Sequence, residues 1–370
     1  MKNKNILEYF LIPLSWIYGI IIFCRNFLFY TQILHQKEFN IPIISVGNIT
    51  VGGTGKTPHV EYLVRLLKDD FRVATLSRGY KRKTKGFISA EINSTPDLVG
   101  DEPCQIKGKF PDIEVAVDSN RVNGIQKIMN SGKNIDVIIL DDAFQHRYVK
   151  PGLSLLLIDY TRPITEDFLL PFGRLREPAS EKKRADIILV TKSPDNLQPI
   201  ERRIFFKKLE LLYFQNLYFT SVIREELKPV FPNYPSPESG KLSERKPDVL
   251  VIAGIANPHE LKRFVLNIST TITELYFPDH HDYSEKDFFQ IQSIFQELPG
   301  NDKIIITTEK DAVRLRKFDA LPEEIKENMY FILIKITFQN DDELSFNKQI
   351  LNYVRSSKRN SILHKGKNNS

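Results

Sequence analysis

Lys56 and Thr57 close a glycine-rich run, Gly47-Asn-Ile-Thr-Val-Gly-Gly-Thr-Gly-Lys-Thr57, and those residue types in that order suit one task, the holding of a polyphosphate. Glycines let backbone N–H groups turn inward onto phosphate oxygens, and a helix that follows presents its positive N-terminal end to them. Lys56 would hold the outer phosphates and Thr57 would place its hydroxyl on Mg²⁺. Nucleotide binding is therefore expected of Gly52, Gly53, Thr54, Gly55, Lys56 and Thr57. Thr50 stands where the generic pattern asks for glycine, so Gly52 and Gly53 are expected to supply the flexibility.

A second acidic position follows the apolar run at 135–140, which delivers Asp141 and Asp142. Carboxylates at the end of a buried strand suit the magnesium partner of a phosphate loop, so Thr57, Asp141 and Asp142 form the expected metal set. One of the two aspartates could equally serve as a helix N-cap. Arg78, Arg121 and Arg176 fall in loops near strand ends, where guanidinium groups can engage a substrate phosphate or the transferring one.

These residues need a scaffold. The phosphate loop is flanked by an apolar strand at 41–46 and by an amphipathic helix with Val60, Leu63, Val64 and Leu67 on one face. Pro58 is tolerated there, because a first-turn residue has no intrahelical N–H bond to lose. Further β-rich runs at 71–76, 113–117, 135–140, 153–158 and 187–191 alternate with helical stretches. That rhythm predicts an α/β fold of the P-loop NTPase type, a largely parallel sheet with helices on both faces. The stretch 209–222 closes the sheet or leads away from it, and the prolines at 229, 232, 235 and 237, with Ser236, Ser239 and Gly240, mark a linker. A second, smaller α/β domain is expected beyond it, with strands at 248–254, 272–277, 303–307 and 329–336 and a helix opened by 255–258. The expected domains are 1–37, an apolar helix; 38–225, the nucleotide domain; 226–350, the second domain; and 351–370, a basic and disordered tail.

The composition, 41% apolar and 26% charged, supports a substantial core and excludes wholesale disorder. A formal charge of +6 suits acidic lipids or phosphorylated substrates; nucleic-acid binding has neither a recognition helix nor an aromatic platform behind it. Cys24 and Cys104, far apart, imply a reducing compartment and no structural metal. From Ile6 to Leu34 the chain is almost wholly apolar or aromatic, broken by Glu8, Pro13 and Arg25. No small-residue cleavage site follows, so a signal peptide is a poor reading. The uncharged stretch 9–24 falls short of the roughly 20 residues a spanning helix needs, which favours a helix lying in the membrane interface. Its many aromatic residues suit the headgroup level.

Six further motifs accompany the loop: Ser77-Arg-Gly-Tyr80, Gly100-Asp-Glu-Pro103, Asp141-Asp-Ala-Phe-Gln-His146, Leu175-Arg-Glu-Pro178 and, further on, Phe277-Pro-Asp-His280 with Thr308-Glu-Lys-Asp-Ala312. In that order they closely resemble the tetraacyldisaccharide 4'-kinases of lipid A synthesis, from the apolar start to about Leu315. That family carries the same threonine at the first loop position. The resemblance implies transfer of the γ-phosphoryl group of ATP, with Mg²⁺, to the 4'-hydroxyl of a tetraacylated glucosamine disaccharide 1-phosphate. It places the reaction at the cytoplasmic face of the bacterial inner membrane, with an acylated disaccharide phosphate lipid and the membrane surface as partners and no obligate protein partner evident.

The resemblance also implies that Asp101 and His280 form a pair, the carboxylate taking or relaying the hydroxyl proton while the imidazole orients it. His281, next in sequence, is the competing histidine. Glu102, Gln145 and Glu177 lie inside the family motifs and are expected to orient acceptor or metal ligands. On the domain boundaries above, Asp101 falls in the first domain and His280 in the second, so the pair is expected to span both. Thr308-Glu-Lys-Asp311 is expected to touch the adenine, to brace the interdomain cleft or to cap a helix through Thr308.

Overall fold

The structure, a computed structural model, describes residues 9–235, 244–255, 258–316 and 321–367. Ser236, Pro237, Ser239 and Gly240 of the expected linker, Ile6 to Glu8 of the apolar segment and residues 256 and 257 of the expected helix opening lie outside the described residues.

Helix α1 (Ile12–Tyr30) precedes strand β1 (Ile43–Gly47), the phosphate loop and helix α2 (Lys56–Leu67). There follow β2 (Val73–Ser77), the short β3 (Ile88–Ser89), α3 (Pro96–Val99), α4 (Asp101–Lys109), β4 (Glu114–Val117), α5 (Arg121–Met129), β5 (Val137–Asp141), β6 (Leu153–Asp159), β7 (Ile187–Thr191), α6 (Pro199–Leu209) and β8 (Asn216–Pro229). The chain continues through β9 (Asp248–Ala253), α7 (His259–Val265), β10 (Ile272–Tyr276), α8 (Glu285–Glu297), β11 (Lys303–Thr308), α9 (Glu309–Leu315), α10 (Glu323–Glu327), β12 (Met329–Phe338) and α11 (Asp342–Lys367).

Two compact units result. The first holds residues to Asn93, Ile106–Val222 and the chain from Ile336 on. Its strands lie in the order β8-β7-β6-β1-β5-β2-β4-β3, parallel throughout except for the β3–β4 pair. Strands β1, β5, β6 and β7 are buried along their whole length, which is why they read as unbroken apolar runs and not as alternating ones. Stretch 209–222 thus closes this sheet, as β8 parallel to β7.

The second unit is discontinuous, Ser94–Gln105 with Ile223–Lys335. Its strands β10-β9-β11-β12 are all parallel. Its interior is built by Phe288, Ile291 and Phe295, on one face of α8, against Leu250, Ile252 and Ile305. The short segment carrying Asp101 therefore groups with the later chain, so the Asp101–His280 pair lies inside one unit and does not bridge two.

The tail also differs from expectation. Instead of a disordered extension after residue 350, α11 runs to Lys367. Phe346, Ile350 and Val354, four residues apart on one helical face, are buried in the first unit. The Tyr353 hydroxyl donates to the carbonyl of Ile43 at 3.1 Å and accepts from its N–H at 3.0 Å, securing the start of β1.

Candidate active site

In the first unit, the turn from β1 into α2 is possible because Gly52 and Gly55 adopt φ of +103° and +82°, the left-handed region that disfavours side chains. The loop is braced from outside. Asn48 donates to the Thr54 hydroxyl at 2.8 Å, Thr191 donates to the Thr54 carbonyl at 2.9 Å and Lys192 donates to the Gly53 carbonyl at 2.6 Å. Lys192 is also paired with Asp159 at 2.7 Å. Behind the loop, buried His59 places Nδ1 2.7 Å from the Gly55 carbonyl and Nε2 3.0 Å from the Thr220 hydroxyl. Burial holds its imidazole down at about 4, against the opposing effect of the bond to Gly55, so the ring is neutral.

Asp141 ends β5, buried, and Asp142 follows in the left-handed region at φ +48°. The reversal turns the Asp142 carboxylate toward the loop, where Lys56 Nζ lies 3.5 Å from Oδ1 and Arg176 Nη1 3.4 Å from Oδ2. Burial would raise the Asp142 carboxyl, but the charges of Lys56 and Arg176 outweigh it and lower it. Two cations thus converge on one point at the helix N-terminus. Arg121 is buried beneath, donating to the carbonyls of Asp118 at 2.6 Å and Asp141 at 3.2 Å; burial lowers its guanidinium to about 10, opposed by Asp141 and Asp142. Arg78 is exposed nearby, close enough for its charge to act on Arg121. The Gln145 side chain donates to the Asn48 carbonyl.

Glu177 plays a different part from the one expected. It is 0% exposed, ion-paired with Arg184 and 3.8 Å from Arg25. Burial raises its carboxyl against the charge of Arg184. A carboxylate so enclosed ties helix α1 to the nucleotide unit instead of orienting an acceptor or a metal.

Helix α1 makes its other polar contacts along the same stripe. Ser15 donates to the Leu169 carbonyl at 2.8 Å, Tyr18 to the Arg176 carbonyl at 2.8 Å, and Asn26 and Phe29 are buried. Trp16, Ile17, Ile20, Ile21, Phe23 and Phe27 are exposed on the remaining surface. The usual amphipathic order is inverted, with the polar stripe against the protein and the apolar surface outward.

In the second unit, Asp101 opens α4 and is 3% exposed. Its Oδ2 lies 2.8 Å from Nδ1 of His280, while Arg314 donates from Nε to Oδ1 at 2.8 Å and from Nη2 to Oδ2. Burial alone would raise the Asp101 carboxyl; the hydrogen bonds from His280 and Arg314 and the Arg314 charge outweigh it and hold it at about 2. An ionised carboxylate only accepts, so Nδ1 of His280 carries the hydrogen in this pair and the lone pair of a neutral ring lies on Nε2. His280 itself sits at φ +59°, with its N–H on the Gly254 carbonyl at 3.0 Å. His281 is engaged elsewhere, with Nε2 3.0 Å from Asp287 and its ring stacked 4.5 Å from that of Phe277. Glu102 is paired with Lys310 at 2.6 Å, whose charge lowers its carboxyl against burial.

With this geometry in view, the comparisons are decisive. Residues 7–355 match the model of the tetraacyldisaccharide-1-P 4'-kinase family. The chain belongs to that family. A tetraacyldisaccharide 4'-kinase of Phocaeicola vulgatus is 48% identical over 353 residues, covering 95% of this chain and 96% of that one. One from Flavobacterium johnsoniae is 42% identical over 352 residues, covering 95% and 98%. The crystal structure of an LpxK from Aquifex aeolicus in complex with ATP superposes with a TM-score of 0.73 at 29% identity, covering 94% of this chain and 99% of that one. As a member of the tetraacyldisaccharide-1-P 4'-kinase family, the chain is an ATP-binding kinase with a P-loop fold.

Sequence reasoning missed Arg314, although it contacts both halves of the Asp101–His280 pair; Nη2 lies 3.3 Å from His280 Nδ1. Nothing in its sequence context separates it from a solvated surface charge, except its place three residues after Asp311 on the same helix. Thr308 proves to be the N-cap of α9, accepting from the Asp311 N–H at 3.2 Å. Asp311 in turn accepts from the Gly254 N–H at 3.1 Å and the Tyr283 hydroxyl at 3.1 Å, so it anchors the turn that leads to His280.

Proposed function

We propose that this kinase transfers the γ-phosphoryl group of ATP to the 4'-hydroxyl of a tetraacylated glucosamine disaccharide 1-phosphate, at the cytoplasmic surface of a bacterial inner membrane. The observation that carries the acceptor chemistry is the buried contact of Asp101 with His280, a histidine oriented by an ionised carboxylate. Asp101 fixes the tautomer; Nε2 of His280 accepts the sugar hydroxyl's proton as the oxygen attacks. Asp101, held at about 2, is a poor proton acceptor by itself, which favours the imidazole as the base and the carboxylate as its orienter. Arg314 keeps Asp101 in place.

On the nucleotide side, Lys56 and Arg176 converge on the position beside Asp142 and would stabilise charge on the transferring phosphoryl group. The Asp142 carboxylate stands at this point; together with the Thr57 hydroxyl and the Asp141 carboxylate it would offer oxygen donors of the kind Mg²⁺ takes, one or two carboxylates with phosphate oxygens and water in the remaining positions. When bound, Mg²⁺ neutralises charge on the terminal phosphates.

The lipid acceptor explains the inverted helix α1. Its contacts with the nucleotide unit run from Ser15 to Tyr30, so the helix lies along the protein and turns its apolar surface toward lipid, which favours the interfacial over the spanning arrangement. The helix is 19 residues long with mean hydropathy 1.6 over its most apolar window.

Incubation of detergent-purified protein with γ-labelled ATP, Mg²⁺ and the tetraacyl disaccharide 1-phosphate tests the reading. Label at the 4' position, lost with Lys56→Ala and with His280→Ala, is expected. Unlabelled lipid from a preparation that binds MgATP would refute the acceptor.

A further inference from the structure

The C-terminal end of α1 and the loop between α6 and β8 are braced by the same short segment. Residues 212–214, Leu-Tyr-Phe, form the tip of a loop between α6 and β8, and Tyr213 is 99% exposed. Its ring meets that of Phe214 edge-on at 5.6 Å. Such a tip is unfavourable in water, since it leaves large apolar area hydrated.

The loop is held firmly. Gln215, buried below the tip, accepts from the Leu212 N–H at 3.0 Å and donates to the carbonyls of Lys182 at 2.8 Å and Ala185 at 2.7 Å. The same short 3₁₀ segment, Ala179–Arg184, meets the end of α1: Tyr30 donates to Glu181 at 3.0 Å, and Lys183 Nζ lies 4.7 Å from the Tyr30 ring centre. The aromatic tip and the C-terminal end of α1 are thus fastened to one basic segment. On α6, Ile200, Arg203, Ile204 and Lys207 recur at helical spacing and, with Phe206, are exposed.

We propose that the 212–214 loop is a second contact with the bilayer, entering an anionic membrane surface beside α1. This rests on the reading of α1 as a lipid-facing helix. The occupant follows from continuity with α1 and from charge. Aromatic side chains settle at the headgroup level, and Lys182, Lys183, Arg203 and Lys207 offer cations to lipid phosphates there. Two separated contacts would also set the angle at which the unit meets the membrane, which one helix alone leaves free to roll.

Trp16, exposed on α1, is the chain's one tryptophan, and this permits a clean test with the full-length protein. Wild type reports on α1, and the W16F/Y213W variant reports on the loop. Each is mixed with phosphatidylglycerol-containing vesicles whose acyl chains are brominated. The expected result is a blue shift and quenching of both proteins, with Y213A/F214A weakening vesicle binding about fivefold while turnover of detergent-dispersed lipid is unchanged. A response of Trp16 with none from Trp at position 213 overturns the loop contact and leaves the α1 reading standing. Silence of both refutes the membrane reading itself, and the loop contact with it. A concentration-dependent blue shift of W16F/Y213W without vesicles assigns the loop to a second copy of the chain and likewise overturns the proposal.

Discussion

Arg314 holds both carboxylate oxygens of Asp101, with Nε 2.8 Å from Oδ1 and Nη2 against Oδ2, while His280 Nδ1 approaches the same Oδ2 at 2.8 Å. A planar guanidinium matches a carboxylate's two oxygens in a way that an ammonium cannot. Arg314→Lys should therefore lower kcat by about 10-fold or more with little change in KM for ATP, and should move the acidic limb of the kcat profile. An unchanged kcat and pH profile would show that Arg314 is only a fold contact.

Because Asp101 is held at about 2 against an ordinary 3.8, the folded state binds its proton less readily than the unfolded one. Its contribution, on the order of 2 kcal/mol, is fully present above pH 4 and is lost as pH falls toward 2. Denaturant titrations of wild type and Asp101→Asn across that window should show a shallower pH dependence in the variant.

His59 has the opposite consequence in a higher window. Folded, its ring is held at about 4; unfolded, it returns to 6.5. Stability is undiminished above pH 6.5 and falls as pH drops from there toward 4, because only the unfolded chain takes up the proton. His59→Gln, which keeps a donor and an acceptor, should flatten that decline. An identical slope in the variant would assign it to other groups.

His280→Gln should reduce kcat by about 100- to 10,000-fold with ATP binding retained. His281→Gln should instead cost about 1 kcal/mol of stability through loss of its Asp287 contact, with kcat close to wild type. Comparing both by steady-state kinetics and urea unfolding separates the adjacent histidines.

Gly55→Ala places a side chain at φ +82°, where the nearest added contact, His59 Nδ1, is an unstrained 3.7 Å. The cost is then backbone strain alone, about 1–2 kcal/mol, and it should appear as weaker ATP binding or lower stability in calorimetry.

Much of this was readable from residue types. The strands of the nucleotide unit were visible because they are buried on both faces, and the phosphate loop because its glycines and Lys56 sit between a strand and a helix. What escaped notice depends on contacts at a distance. Glu177 lies in a motif beside Arg176, yet it is enclosed by Arg184 and Arg25, which no local pattern announces. Helix α11 did leave a trace, the spacing of Phe346, Ile350 and Val354, but the basic residues around it obscured the apolar stripe. Arg314 left none.

The discontinuity of the second unit bears on how the enzyme is made. Asp101 leaves the ribosome well before His280 and Arg314, flanked on both sides by chain that belongs to the other unit. Until the later strands emerge, its segment has no surface of its own to settle on. A fragment of residues 223–335 would carry the arginine and the imidazole without the carboxylate that organises them. The dyad thus waits for both segments, and a chain stalled before His280 and Arg314 cannot form it.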